Sequence, residues 1–279
     1  MNILITGASG FIGRHITETL HSADHRVKEV TRSNGYDFNQ MITKEAWLPL
    51  LKDIDVVINC VGIITERRNQ KFKTLHYQAP TALFYACAES NIKRVIQISA
   101  LGADEHAFTP YQISKKEADD VLRSLPLNWF VLRPSLVYGR GGKSMALFQH
   151  LASLPVLPLI DGGKQIIQPV HISDLTDTVL KCLTSLETNI TLDIVGAHAI
   201  SFKEWLQLMR ASKGKHRAAV ISIPFTLSML IAKLVKCIVP LINPDNLRML
   251  QQGNVSDVNQ MAKFIGRMPL DLKTGWSKL

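Results

Sequence analysis

The segment ITGASGFIGRH, Ile5 to His15, limits the fold more than any other stretch of this chain. It spaces Gly7, Gly10 and Gly13 as G-x-x-G-x-x-G between an apolar run that reads as a strand and an amphipathic run that reads as a helix. Gly7 makes a tight turn, Gly10 lets the backbone approach a pyrophosphate, and Gly13 lets the helix pack close to the sheet. Ser9, Phe11 and Ile12 complete the loop, whose free N–H groups and helix dipole face an anion. A dinucleotide phosphate is the expected ligand, with a purely structural turn as the alternative.

Strand-like runs follow at Asn2–Thr6, Arg26–Thr31, Asp55–Val61, Arg94–Ser99 and Trp129–Leu132. Between them lie helical patterns such as FIGRHITETLHS and APTALFYACAES. Strands separated by helix-length segments predict a doubly wound parallel sheet of Rossmann type, an α/β fold. IDVVINCV and RVIQIS are continuous apolar runs, as strands covered on both faces require.

The character changes after about Thr191. SFKEWLQLMRAS places Ser201 and Glu204 at capping-box spacing, followed by a strand-like AAVISIP and an apolar FTLSMLIAKLVKCIVPLI. Lys233, Lys236 and Pro240 interrupt that last run, so it falls short of the roughly 20 residues a membrane span needs. It reads as a helix buried in, or packed on, a lobe, with a membrane-surface helix as the alternative. The expected division is a Rossmann domain over 1–200 and a small mixed C-terminal lobe over 201–279 for substrate or partner, which part of 139–165 joins.

Composition removes several function classes. The net charge is +9, but the one dense basic run, ERRNQKFK, is short, carries an acid and reads as a solvated loop, so no nucleic-acid partner is expected. Cys60, Cys87, Cys182 and Cys237 have no C-x-x-C spacing and read as small core residues in a reducing compartment, with no disulfide framework and no metal site. His15, His21 and His25 lack ligand spacing. The sequence opens directly on a strand pattern, so no cleaved signal is expected, and the location is expected to be cytoplasmic, with a peripheral membrane contact as a further option.

Five motifs stand in one order: TGASGFIG, DVVINCVG, YQISK, LRPSLVYG and QPVHISDL. Over roughly residues 1–200 this chain resembles the extended short-chain dehydrogenase/reductases, a group of nucleotide-sugar epimerases, dehydratases and reductases. INCVGIITE and ISALGAD look more narrowly like the atypical branch that includes the nucleotide-binding accessory subunit of respiratory complex I. The resemblance implies an oxidoreductase or epimerase-like protein with an unidentified small-molecule substrate, or else a non-catalytic accessory protein. It also implies pairing of two copies beside the YQISK segment, or contact with a protein complex through the C-terminal lobe.

Second strands of this architecture usually end in an acid that binds the ribose 2′-hydroxyl. Here the end reads Thr31-Arg32-Ser33, and a guanidinium suits a 2′-phosphate, so NADP(H) is expected over NAD(H). Arg14 can reach the same phosphate. By resemblance, Asp37 and Phe38 of YDF lie at the adenine edge, Cys60, Val61 and Gly62 wall the ribose, and Pro134 and Val137 line the nicotinamide end. His171 and Asp174 look like a family marker, with helix capping by Ser173 or Asp174 as the alternative.

Tyr111 and Lys115, four apart on a helix, share a face. The ammonium is expected to lower the phenol pKa toward a usable general acid/base, and in the family the lysine also binds the ribose. Relatives that transfer hydride carry a hydroxyl directly after the position matched by Ser99, where this chain has Ala100 and then Leu101. Neither side chain can donate a hydrogen bond. Ser99 is kept as a catalytic candidate one residue early, and Thr109 or His106 as substitutes from the loop. His76 replaces an asparagine that many relatives carry.

Overall fold

The computed structural model describes residues 1–236 and 238–278; Cys237 lies outside them. In chain order the elements are β1 (Asn2–Thr6), α1 (Phe11–Ser22), β2 (Arg26–Val30), β3 (Val56–Asn59), α2 (Ala79–Glu89), β4 (Arg94–Ile98), α3 (Pro110–Ser124) and β5 (Trp129–Pro134). There follow β6 (Val137–Tyr138), α4 (Lys143–Ser153), β7 (Val156–Ile160), β8 (Ile166–Ile167), β9 (Val170–His171), α5 (Ile172–Thr184) and β10 (Ile190–Ile194). The chain continues through β11 (Ile200–Ser201), α6 (Phe202–Ser212), β12 (Ala219–Ile223), α7 (Phe225–Val235), α8 (Pro244–Gln252), α9 (Asn259–Ile265) and α10 (Leu272–Ser277).

Among the described residues one six-stranded sheet runs β10-β5-β4-β3-β1-β2, and every pairing in it is parallel. The chain steps outward from β1 to β2, then returns to β3 on the other side. Ligand clefts of doubly wound sheets open at the carboxyl ends of the strands where the order reverses, here β1 and β3. Val57, Ile58, Val95 and Ile96 are fully buried, as strands covered on both faces must be. The expected helix over FIGRHITETLHS is α1 with the same ends.

The chain divides into two units that interleave in sequence. The first holds residues 1–134, 172–194 and 259–267; the second holds 135–171, 195–258 and 268–279. A single break at residue 200 does not describe this. In the second unit β7 pairs with the distant β12, and β8 with β11, so segments on both sides of residue 200 share one core. The Ser201 cap is present, its hydroxyl accepting the Glu204 N–H at 3.2 Å, and the strand in AAVISIP is β12.

Two expectations about burial change. Cys87 and Cys182 are core residues, whereas Cys60 is only partly covered. The apolar run after Pro224 forms α7, but Leu227, Leu230, Ile231 and Leu234 are exposed instead of buried. Small residues, Ser228 and Ala232, occupy the helix's inner face.

Candidate dinucleotide and proton-transfer site

The glycine loop sits where β1 meets α1, and its shape depends on missing side chains. Gly7 adopts φ +69° and accepts the Gly10 N–H at 2.9 Å. A Cβ on Gly13 would stand 2.2 Å from the Gly7 carbonyl oxygen, so only glycine lets the helix start this close. No side chain caps α1, and its first turn carries no acid. The amides of Phe11, Ile12 and Gly13 therefore begin a helix with no capping side chain, next to exposed Ser9 and Gly10. Such a donor set fits a pyrophosphate.

Arg32 is exposed in a short 3-10 turn directly after β2. Arg14 is half exposed and within 3.9 Å of Glu18. Asp37 accepts the Asn39 backbone and side-chain N–H groups, both at 3.0 Å, in a local turn. Phe38 is buried in the core at 5.3 Å from the Trp47 ring, which leaves only its backbone for a ligand. Pro134 ends β5 in the first unit, while Val137 belongs to the second.

The carboxyl ends of β3 and β4 hold the ammonium of Lys115. Its Nζ donates to the carbonyl oxygens of Ile98 at 2.9 Å and Val61 at 3.2 Å. Gly62 permits this, since a Cβ there would lie 3.2 Å from the same nitrogen. Burial pulls Lys115 down to about 8, with Asp119 and then Cys60 opposing the shift. Burial likewise raises the Cys60 thiol to about 12.

Tyr111 departs from expectation. Its phenol is pushed up to about 12 by burial, with the charge of Asp119 adding to the rise. Removing the ring from water outweighs any help from Lys115, so the group is a neutral proton donor at neutral pH. Its ring meets Phe72 edge-on at 5.9 Å and His76 at 5.5 Å.

His76, buried within a π-helical turn over Lys73–Gln78, locks the start of α3. Its Nε2 accepts the Ile63 N–H at 2.9 Å, which leaves Nδ1 to carry the proton. Nδ1 then donates to Ser114 Oγ at 3.0 Å, and that hydroxyl donates to the Tyr111 carbonyl at 2.9 Å. Burial and the Lys115 charge hold this imidazole neutral.

Ser99 does not face the position a substrate oxygen would take beside Tyr111. Its hydroxyl donates to Asp119, a fully buried residue one turn beyond Lys115. Asp119 itself is raised to about 6 by burial, and the Ser99 bond is the largest effect opposing the rise. The expected substitutes are committed elsewhere as well. Thr109 caps α3 by accepting the Gln112 N–H at 3.3 Å and donating to Oε1 of the same residue at 2.8 Å, while His106 points into solvent beside Glu105.

Sequence reasoning passed over a buried polar chain under the site. Thr6 donates to Asn59 and Asn59 to Gln97 at 2.7 Å, each from a different strand. Polar residues ending the otherwise apolar VVIN and RVIQIS were the available signal. The i, i+4 spacing of Lys115 and Asp119 was another. Asp174 lies in the first turn of α5, and its buried carboxylate accepts from Arg267 at 2.7 Å. His171 packs edge-on against Tyr138 at 5.2 Å in the second unit.

Comparison with known proteins bears on the family and the fold. Residues 3–195 match the NAD dependent epimerase/dehydratase family. The chain is 26% identical to a ceramide reductase of Caulobacter vibrioides over 223 residues, 75% of this chain and 69% of that protein. It is also 26% identical to subunit 9 of the NADH dehydrogenase [ubiquinone] 1 alpha subcomplex from mouse mitochondria, over 63% of this chain. The match spans about half of that subunit's length, 51%. Among solved structures, the UDP-glucuronic acid 4-epimerase of Bacillus cereus, in complex with UDP-glucuronic acid and NAD, superposes with a TM-score of 0.73. That match covers 100% of this chain and 97% of the epimerase at 18% identity, a likeness of fold.

Proposed function

The chain belongs to the NAD dependent epimerase/dehydratase family, and from that premise we propose that it binds a nicotinamide dinucleotide along the carboxyl edge of β1, β3 and β4. The bound nicotinamide would supply or accept the hydride. The α1 amides and the Gly7–Gly13 loop hold the pyrophosphate. Arg32, standing where an acid would serve NAD(H), favours NADP(H). Lys115 positions the nicotinamide ribose, and Tyr111 gives a proton to a substrate oxygen.

The observation that carries this reading is the cluster at the strand ends. Gly62 lies beside Lys115 Nζ and His76, and His76 meets the Tyr111 ring. The same segment, at Cys60 and Val61, abuts Gly7 of the loop before the uncapped helix. With its phenol near 12, Tyr111 is protonated at neutral pH, the form that gives a proton in carbonyl reduction, although burial makes it a weaker acid than free tyrosine. Turnover is slow on this reading, since Ala100 offers no donor and Ser99 is committed to Asp119. A missing donor at a developing oxyanion costs about 2.7–4 kcal/mol. The substrate is a small carbonyl compound of unassigned class, and the compartment is the reducing cytoplasm.

That missing donor also favours a second reading, a non-catalytic protein that keeps the dinucleotide as a structural part within a larger assembly. Calorimetry with NADPH and NADH tests the shared premise; no saturable binding of either removes both readings. NADPH oxidation across a carbonyl panel separates them. A wild-type protein that reduces a defined carbonyl and loses this in Tyr111→Phe eliminates the structural reading. Ala100→Ser is expected to raise the rate at least tenfold.

A further inference from the structure

The helix α7 is built inside out for a globular surface. Ser228 and Ala232 are its buried residues, while Leu227, Leu230, Ile231 and Leu234 are 47%, 56%, 39% and 73% exposed. Those four follow the i, i+3, i+4, i+7 spacing of one helical face. Ile238, just past the helix, is 82% exposed. Helices on soluble surfaces turn this stripe toward the core; here the larger apolar side chains point away from it.

Along the sequence the charge flanking the stripe is one-signed, while in space the Asp161 carboxylate accepts the Phe225 N–H at the start of α7 at 3.2 Å. Between Glu204 and Asp245 the sequence contains no Asp or Glu, but holds Arg210, Lys213, Lys215, Arg217, Lys233 and Lys236. Arg217 is paired with Glu204, and Arg210 is buried on the carbonyls of Ala152 and Leu154. Lys213, Lys215, Lys233 and Lys236 are exposed. The first acid beyond the helix, Asp245, stands 3.5 Å from Arg248. Among the described residues no helix is long and apolar enough to cross a membrane. An apolar face flanked by lysines, on a short helix, matches the physics of a segment that lies in a lipid interface.

We infer that α7 is an interfacial helix that docks this unit on a bilayer containing anionic lipid. Leu227, Leu230, Ile231 and Leu234 enter the acyl boundary, and Lys233 and Lys236 stay at the headgroup phosphates. The occupant is a lipid surface and not a protein partner because the charge complement is delocalised: exposed Lys233 and Lys236 at one end of α7, with the Asp161 carboxylate at the other end taken up by the Phe225 backbone, suit a sheet of phosphates. This inference is independent of the dinucleotide site.

The test is vesicle flotation of the full chain with equal parts phosphatidylcholine and phosphatidylglycerol, against phosphatidylcholine alone. Binding is expected to the anionic vesicles and to fall at least tenfold on the neutral ones or in about 0.5 M salt. Leu230→Glu with Leu234→Glu should abolish it while the thermal melt stays unchanged, since both positions are already exposed. Lys233→Gln with Lys236→Gln is expected to weaken binding about fivefold per lysine. Absence of binding to anionic vesicles overturns the inference, as does equal binding to neutral ones. So does a dimer, seen by analytical ultracentrifugation without vesicle binding and lost in the leucine variant, which would make the stripe a self-association face.

Discussion

Ser99 gives its hydroxyl hydrogen to the carboxylate of Asp119, which is buried one helical turn beyond Lys115. That bond turns a residue in a catalytic-looking segment into a support for the lysine. Asp119 raises the Lys115 pKa against the effect of burial, and Ser99 helps keep Asp119 charged. Ser99→Ala should therefore destabilise the fold by about 1–3 kcal/mol, the cost of leaving a buried acceptor short of a donor. Any carbonyl reduction should fall only in proportion to folded protein. A melt compared with NADPH oxidation per folded molecule checks this; a selective loss of turnover would return Ser99 to the chemistry.

Lys115 gives a pH prediction with two opposite signs. Its folded pKa near 8 lies below the ordinary 10.5, so the unfolded chain binds more protons between those values and stability rises with pH across that window. The gain is complete above 10.5 and is lost as pH falls through 8. If Lys115 holds the ribose as proposed, dinucleotide affinity should move the other way, weakening above pH 8 as the ammonium is lost. Asp119→Asn should shift the affinity inflection to lower pH, and Lys115→Met should erase it. Calorimetric titrations from pH 7 to 10, with parallel denaturant melts, read both signs.

The glycine loop predicts a steric outcome. A methyl group on Gly13 would stand 2.2 Å from the Gly7 carbonyl oxygen and 2.8 Å from its carbon. Both are backbone atoms, so α1 must retreat from the sheet. Gly13→Ala should cost about 1–3 kcal/mol by overpacking and weaken dinucleotide binding at least tenfold by moving the first-turn amides. Gly35→Ala is the contrast. A methyl group at Gly35 meets nothing within 4 Å, although its φ of +89° still strains any substitution, so its effect should be confined to stability. A melt and a calorimetric titration of both variants separate the two.

Local signals were legible because the physics behind them is local. The places of the five strands, with ends that differ by up to two residues, the whole of α1 and the shared face of Tyr111 and Lys115 follow from apolar periodicity and helix geometry within a few residues. The state of Tyr111 was not legible, because burial by Phe72 and His76, brought from almost forty residues upstream, outweighs the charge one turn away. The two-unit division was hidden for the same reason. Nothing in VLPLI announces that its partner is AVISI, beyond residue 218. Phe38 resembled a ligand contact by position, but Trp47 claims its ring. His76 was visible as a substitution; its part in holding Ile63 and Ser114 depends on a π-helical turn that no periodicity marks.

Arg267 ties residues 259–267 back to the first unit. Its guanidinium reaches Asp174 at 2.7 Å and Asp177 at 2.5 Å, joining the end of α9 to the first turns of α5. Asp174 is fully buried, so losing this cation leaves a carboxylate with less compensation inside the protein. Arg267 itself is 38% exposed, which screens part of the pair and puts Arg267→Ala at about 1–3 kcal/mol, below the cost of breaking a fully buried pair. Arg267→Lys should recover only part, since an ammonium cannot bridge two carboxylates as a planar fork does. Because α9 also packs on the sheet, with Phe264 against Phe130 of β5 at 6.0 Å, the helix should loosen before the sheet does. Hydrogen exchange should therefore rise first in 259–267 and in the start of α5. Uniform exchange across the first unit would mean that Arg267 stabilises the unit as a whole and does not clamp one helix.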